Sequence, residues 1–231
     1  MPRNSNRTSG KTSKTKGSFS PQPASSGLKK EALKHFKKVD PHFHSATLPH
    51  HAALPDVLSY RRTRAQLFEG LVGTVISQQL GTGAARSIRA RVKEACKGDV
   101  TSLSILKIKP EKLRAAGLSG AKVKTIQGIA RAIENGSLDL LALKKIPEHE
   151  ASEKLLSLWG LGPWSVDMFM LFALGRSDVF SAGDLGLIRS LEAIYGLPKD
   201  TKKERLLQIA EKWSPHRSFA SLLLWRTRDS K

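Results

Sequence analysis

Acidic side chains are scarce in this sequence. Against 39 lysines and arginines stand 20 aspartates and glutamates, a formal charge of +19 over 231 residues and a pI near 10.3. So large a surplus exceeds what solubility requires and favours a polyanionic partner, nucleic acid ahead of an acidic membrane surface. Cysteine is scarcer still. With Cys96 alone no internal disulfide can form, and an iron–sulfur cluster held by four cysteines is excluded. A reducing compartment fits: the nucleus in a eukaryote, otherwise the cytoplasm. No apolar run approaches the roughly 20 residues of a membrane span, so no membrane partner is expected. Two-residue alternation is almost absent, and no internal repeat or heptad array is visible. With 39% hydrophobic residues the chain can still bury a core, in one domain or two small lobes.

Residues 1 to about 28 carry Arg3, Arg7, Lys11, Lys14 and Lys16, no acid and few large apolar side chains. That composition reads as a disordered basic tail that adds non-specific affinity for DNA. It lacks the apolar centre of a secretory signal. From Leu28 onward the pattern is helical. Leu67, Leu71 and Val75, with Phe68 and Val72, line one helix face, and Ala84, Ile88 and Val92 the next. After the break at Gly117 to Gly120, Val123, Ile126, Ala130 and Ile133 mark a helix closed by Gly136. Pro147 opens a helix running to Trp159, Pro163 one ending near Gly175, and Asp184, Thr201 and Pro215 stand at three further starts. The fold class is all-α, with residues 29–231 forming one helical unit of two lobes behind the tail.

The stretch LWGLGPWSVDMF, Leu158 to Phe169, interrupts a helix with two glycines and restarts it at Pro163. Gly160 and Gly162 let the backbone turn tightly and leave amide N–H groups facing outward at the next helix start. Such a turn is either an ordinary helical hairpin or a seat for a phosphate, which a DNA backbone can approach closely because the side chains are missing. Downstream, in DVFSAGDLGLIRSL, Asp184 precedes the apolar spacing Leu185, Ile188, Leu191 and reads first as an N-cap. A helix start also favours negative charge, so the same carboxylate could face a developing positive charge. Asp167 reads as a helix-surface charge, Asp178 as a turn or capping group. Arg86, Arg89 and Arg91 read as solvated charges or as phosphate contacts.

Together these stretches resemble the helix-hairpin-helix DNA glycosylase superfamily. LWGLGPWSV is similar to its hairpin signature, and Asp184 falls twenty positions after Trp164, where that family carries its catalytic aspartate. LFEGLVGTVISQQLGTGAARSI and EKWSPHRSFASLLLW resemble the lesion-probing helix and the C-terminal helix of its alkylation-repair branch, the 3-methyladenine DNA glycosylase II type. The similarity runs from about Leu67 to Trp225.

The resemblance implies double-stranded DNA with alkylated bases as partner and a monomer as the working unit. A base inside the duplex cannot be reached, so the nucleotide is flipped out and its N-glycosidic bond hydrolysed. Asp184 would stabilise the oxocarbenium character of the sugar and help position water. Trp164 and Trp225 would wall the base pocket, with Met168 and Leu185 where the best-known bacterial relative has tyrosines. Gln79 and Leu80 would enter the duplex, one filling the vacated position and one wedging the opposite strand. Gly160, Gly162 and Ser165 would contact the backbone. Family members that cut the strand place a lysine where this chain has Trp164, so the resemblance implies a monofunctional enzyme that leaves an abasic site. No redox cofactor is implied, and the one ion for which the resemblance leaves room is a monovalent cation held by hairpin carbonyls. Gly183 replaces an acidic residue common before the aspartate. With about 60 residues ahead of Leu67, the extra β-containing domain of some bacterial relatives is not expected.

Two other readings remain open at the level of sequence: a lesion-binding protein that uses hairpin and wedge without excising, and a plain hairpin module within a larger assembly. The histidines of HFHSATLPHH, including His42, His44, His50 and His51, lack metal-ligand spacing and read as a loop; no metal site is expected.

Overall fold

Capping and turn chemistry divide the chain into short helices. The computed structural model describes residues 27–56, 58 and 62–229. All but the last two residues of the expected tail lie outside these. Among the described residues the regular structure is entirely helical, and no helix is long and apolar enough to cross a membrane. α1 (Leu28–Val39) and α2 (Pro41–Thr47) meet at Asp40, whose Oδ1 accepts the Phe43 N–H at 3.0 Å to cap α2. A 3₁₀ turn, Leu48–Ala53, follows. The histidine-rich segment is therefore helical and not a loop: Asp40 and Pro41 form a cap followed by a first-position proline, a helix start hidden by its polar composition.

α3 (Arg64–Ser77) begins in a capping box between Thr63 and Gln66. α4 (Thr82–Ala95), α5 (Ser102–Lys107), α6 (Pro110–Ala115), α7 (Gly120–Glu134) and α8 (Glu148–Leu156) follow. The buried stripe of α4 runs through Ala85, Ile88 and Val92, while Ala84 is exposed, one position off the expected register. α8 stops at Leu156, one turn before Trp159. α9 (Pro163–Phe169) runs into a π-helical turn, Met170–Leu174, ended by Gly175 at φ +70°. α10 (Leu185–Tyr195), α11 (Lys203–Glu211) and α12 (Arg217–Asp229) complete the chain.

These elements bury two apolar cores. The first, built by α3 to α9, holds Leu67, Phe68, Leu71, Ile76, Ile126 and Phe169. The second joins α1 and α2 to α10, α11 and α12 around Phe36, Phe43, Leu187, Leu191, Trp213 and Phe219. Each such side chain, fully buried, stabilises the fold by about 1.5–3 kcal/mol. The chain thus leaves one lobe after α2, builds the other, and returns near Phe180. Leu222 and Trp225 of α12 pack against both cores, so α12 is the seam between the lobes.

Candidate active site

Asp184 stands at that seam. It caps α10, Oδ1 accepting the Leu187 N–H at 2.9 Å. Two further donors converge on it from opposite sides: Trp164 Nε1 of α9 on Oδ2 and Trp225 Nε1 of α12 on Oδ1, each at 2.9 Å. The carboxylate is thus oriented by a helix start and two indoles from different elements, while remaining only half-buried. Gly186 completes the setting. A Cβ there would lie 3.0 Å from Asp184 Oδ1, 3.1 Å from the Trp225 ring and 2.8 Å from the Arg228 guanidinium. Glycine is what lets α12 approach the carboxylate.

The two tryptophans thus have a second role besides the aromatic wall expected of them. Their N–H edges hold Asp184, and the stacked aromatic pair is formed by Trp225 with Phe172, ring centroids 5.4 Å apart and planes at 25°. Phe172 is 47% exposed, and it lines a cavity of about 310 Å³ between the lobes with Leu171, Leu222, Arg226, Leu58 and Pro55. That volume lies at the small end of ligand pockets. A larger cleft of about 500 Å³ lies between α3 and α4; Asp184 and the two tryptophans line neither cavity, and the smaller one is linked to the carboxylate through Phe172, which stacks on Trp225. Met168 is buried and Leu185, next to Asp184, is 68% exposed; neither lines this cavity. Sequence reasoning missed Phe172.

Gly160 and Gly162 form the expected hairpin. Gly160 takes φ +83°, and a Cβ there would overlap the Thr125 side chain of α7. Around Gly162 the space is open, and the first amides of α9 face it. Ser165 is buried, and its hydroxyl accepts Gln78 Nε2 at 2.8 Å; any contact it makes with a DNA backbone runs through its N–H and not its side chain. The same Gln78 amide donates to Gly160 O at 2.9 Å, tying the end of α3 to the hairpin. Gln79 follows in a left-handed conformation, φ +54°, which costs a non-glycine residue energy and turns Gln79 and Leu80 outward. Leu80 is 38% exposed, not folded into the core.

Other charges near the site are mostly structural. Arg89 donates to Gly73 O at 2.8 Å and Ser77 Oγ at 2.7 Å, and Arg91 to Ala116 O at 2.9 Å, so two of the three candidate phosphate arginines hold backbone carbonyls. Asp178 pairs with Arg217 at 2.8 Å and accepts the Ser214 hydroxyl at 2.7 Å, and these partners hold its carboxyl below the usual range despite burial. Asp167 is no surface charge. Burial pushes its carboxyl up to about 6, offset in part by Ser181 and Lys203.

Comparison with known proteins supplies relatives over most of the chain. The family described as HhH-GPD superfamily base excision DNA repair protein matches residues 72–216. The chain is 31% identical over 176 residues to DNA-3-methyladenine glycosylase 1 of Schizosaccharomyces pombe, covering 73% of this chain and 77% of that protein. It is 28% identical to a putative DNA-3-methyladenine glycosylase of Bacillus subtilis, over 84% of this chain and 68% of that one. Among solved structures, the 3-methyladenine DNA glycosylase of Schizosaccharomyces pombe in complex with abasic DNA superposes with a TM-score of 0.74 at 29% identity, over 86% of this chain and 97% of that one.

Proposed function

The chain belongs to the HhH-GPD superfamily of base excision DNA repair proteins, and from that premise we propose that it excises alkylated bases of the 3-methyladenine and 7-methylguanine type from duplex DNA, as a monomer and without cutting the strand. The observation that carries this is the three-donor cradle of Asp184, linked through the Trp225–Phe172 stack to an interlobe cavity. Gln79 and Leu80, turned outward at the end of α3, take the place of the flipped nucleotide and wedge its partner strand, offsetting part of the few kcal/mol of unstacking. The extruded base enters the cavity against Phe172, which Trp225 backs. An alkylated purine carries positive charge, and a cation over an aromatic face gains about 0.5–2 kcal/mol.

Cleavage is then a matter of charge. The glycosidic bond breaks with its electron pair leaving on the cationic base, which departs neutral. The sugar becomes oxocarbenium-like, and the Asp184 carboxylate faces that positive charge from a fixed position. Water adds to the anomeric carbon and gives up a proton, leaving an abasic site. Residues Pro163–Leu174 contain no lysine, so no amine stands at the hairpin helix to form a Schiff base with the opened sugar. A monovalent cation at the hairpin fits the Trp159 and Leu161 carbonyls, which accept no protein hydrogen bond among the described residues, whereas Gly160 O is taken by Gln78. It would draw a DNA phosphate to the turn.

Release of 3-methyladenine and 7-methylguanine from alkylated duplex DNA, compared between the parent and Asp184→Asn, tests this directly. Release by the parent alone, with strand nicks appearing only after alkali, is expected. If neither protein releases a base and both bind an abasic-site duplex tightly, the chain is a lesion binder and Asp184 is a cap only.

A further inference from the structure

Trp159 is 56% exposed, directly before the first hairpin glycine, and contributes to neither core. Over its ring stands Lys124 of α7, Nζ 4.3 Å from the centroid. Neither side chain takes part in the site described above; Trp159 enters it only through its backbone carbonyl, which a side-chain substitution leaves in place. Both are nevertheless held in fixed relation to it. Gly160 lies so close to Thr125 that no Cβ fits between them, and Lys122 donates to the Ile76 and Gln78 carbonyls at 2.9 Å each. α7 is thereby pinned to the hairpin and to the wedge at once.

We propose that Trp159 and Lys124 form an additional strand contact, taking the sugar–phosphate backbone of DNA next to the hairpin turn. The proposal rests on the glycosylase reading and extends its footprint along α7. The indole presents an apolar face for deoxyribose C–H groups. The Lys124 ammonium, held over that indole, keeps N–H donors for a phosphate oxygen, and the pair orders two otherwise mobile side chains before DNA arrives. Charge decides the kind of partner: in a chain of net charge +19, a lysine-capped aromatic beside a phosphate-binding turn fits a polyanionic backbone.

The test is binding of the full chain to a duplex carrying an abasic-site analogue, followed by anisotropy over a salt series. Trp159→Ala should weaken binding about three- to tenfold, and Trp159→Phe should recover most of that loss. Lys124→Gln should lower the slope of log affinity against log salt by about one. Base release at saturating duplex should stay at the parent rate in all three, because none touches Asp184. Parental affinity and salt slope in both Trp159→Ala and Lys124→Gln would overturn the contact. A parent that fails to bind this duplex would overturn the glycosylase reading, and the proposal with it.

Discussion

At the scale of single residues, the informative contrast is between two carboxylates within one seam. Asp184 meets three N–H donors, whereas Asp167, on the same helix as Trp164, is half-buried with little to compensate it. Its carboxyl titrates near 6 when folded, above the ordinary 3.8. The fold therefore binds this proton more tightly than the unfolded chain does. The stability that protonation contributes is fully present below the unfolded value and is lost as pH rises through the folded one. That difference corresponds to at most roughly 3 kcal/mol. Asp167→Asn, a neutral group of the same shape, should thus gain stability over the parent at about pH 8 and little at about pH 4, measured by urea denaturation at both. A difference that does not change with pH would show that the carboxyl is not held up by burial.

At the scale of elements, the end of α3 is the critical piece, because an exposed wedge must be rigid to act. The last carbonyls of a helix have no partner within it. Lys122 supplies one for Ile76 and Gln78, and its own ammonium is lowered from the usual lysine range by burial. Lys122→Met should cost about 1.5–3 kcal/mol of stability in a denaturant melt and speed amide exchange at Gln79 and Leu80. Lys154→Met, at an exposed position of α8, should do neither. An unchanged melt and unchanged exchange would mean that Gln78 alone holds the wedge.

The same element shows what the sequence could and could not disclose. The apolar stripes of α3 and α7 were legible because 3.6-residue spacing leaves little choice of buried face, and Asp184 was legible as a cap before it was legible as anything else. The six-residue helices α5 and α6 are too short to display a period. Phe172 escaped for a different reason. A π-helical turn inserts an extra residue and rotates the side chains that follow, so no helical wheel drawn from Pro163 brings Phe172 to the cavity. The tryptophans were recognisable as site residues, but a sequence does not say which edge of an indole faces a carboxylate.

At the scale of the whole molecule, the lobes and the charge serve different parts of one task. Orientation at the seam depends on α12 packing against both cores, which places Trp225 between Asp184 and Phe172. That geometry is short-ranged and insensitive to salt. Attraction to DNA is long-ranged, and much of it is distributed: residues 1–26 alone carry five basic side chains and no acidic one. Deleting them lowers the formal charge from +19 to +14 and leaves Asp184, Trp164, Trp225 and Phe172 in the chain. The two functions should therefore separate. The truncated chain is expected to bind undamaged duplex more weakly, with a shallower dependence of affinity on salt, because fewer counterions are released. At saturating alkylated duplex it should release bases at the parent rate. A fall in that saturated rate would place part of the chemistry or the base-flipping step in residues 1–26, and the separation of attraction from orientation would fail.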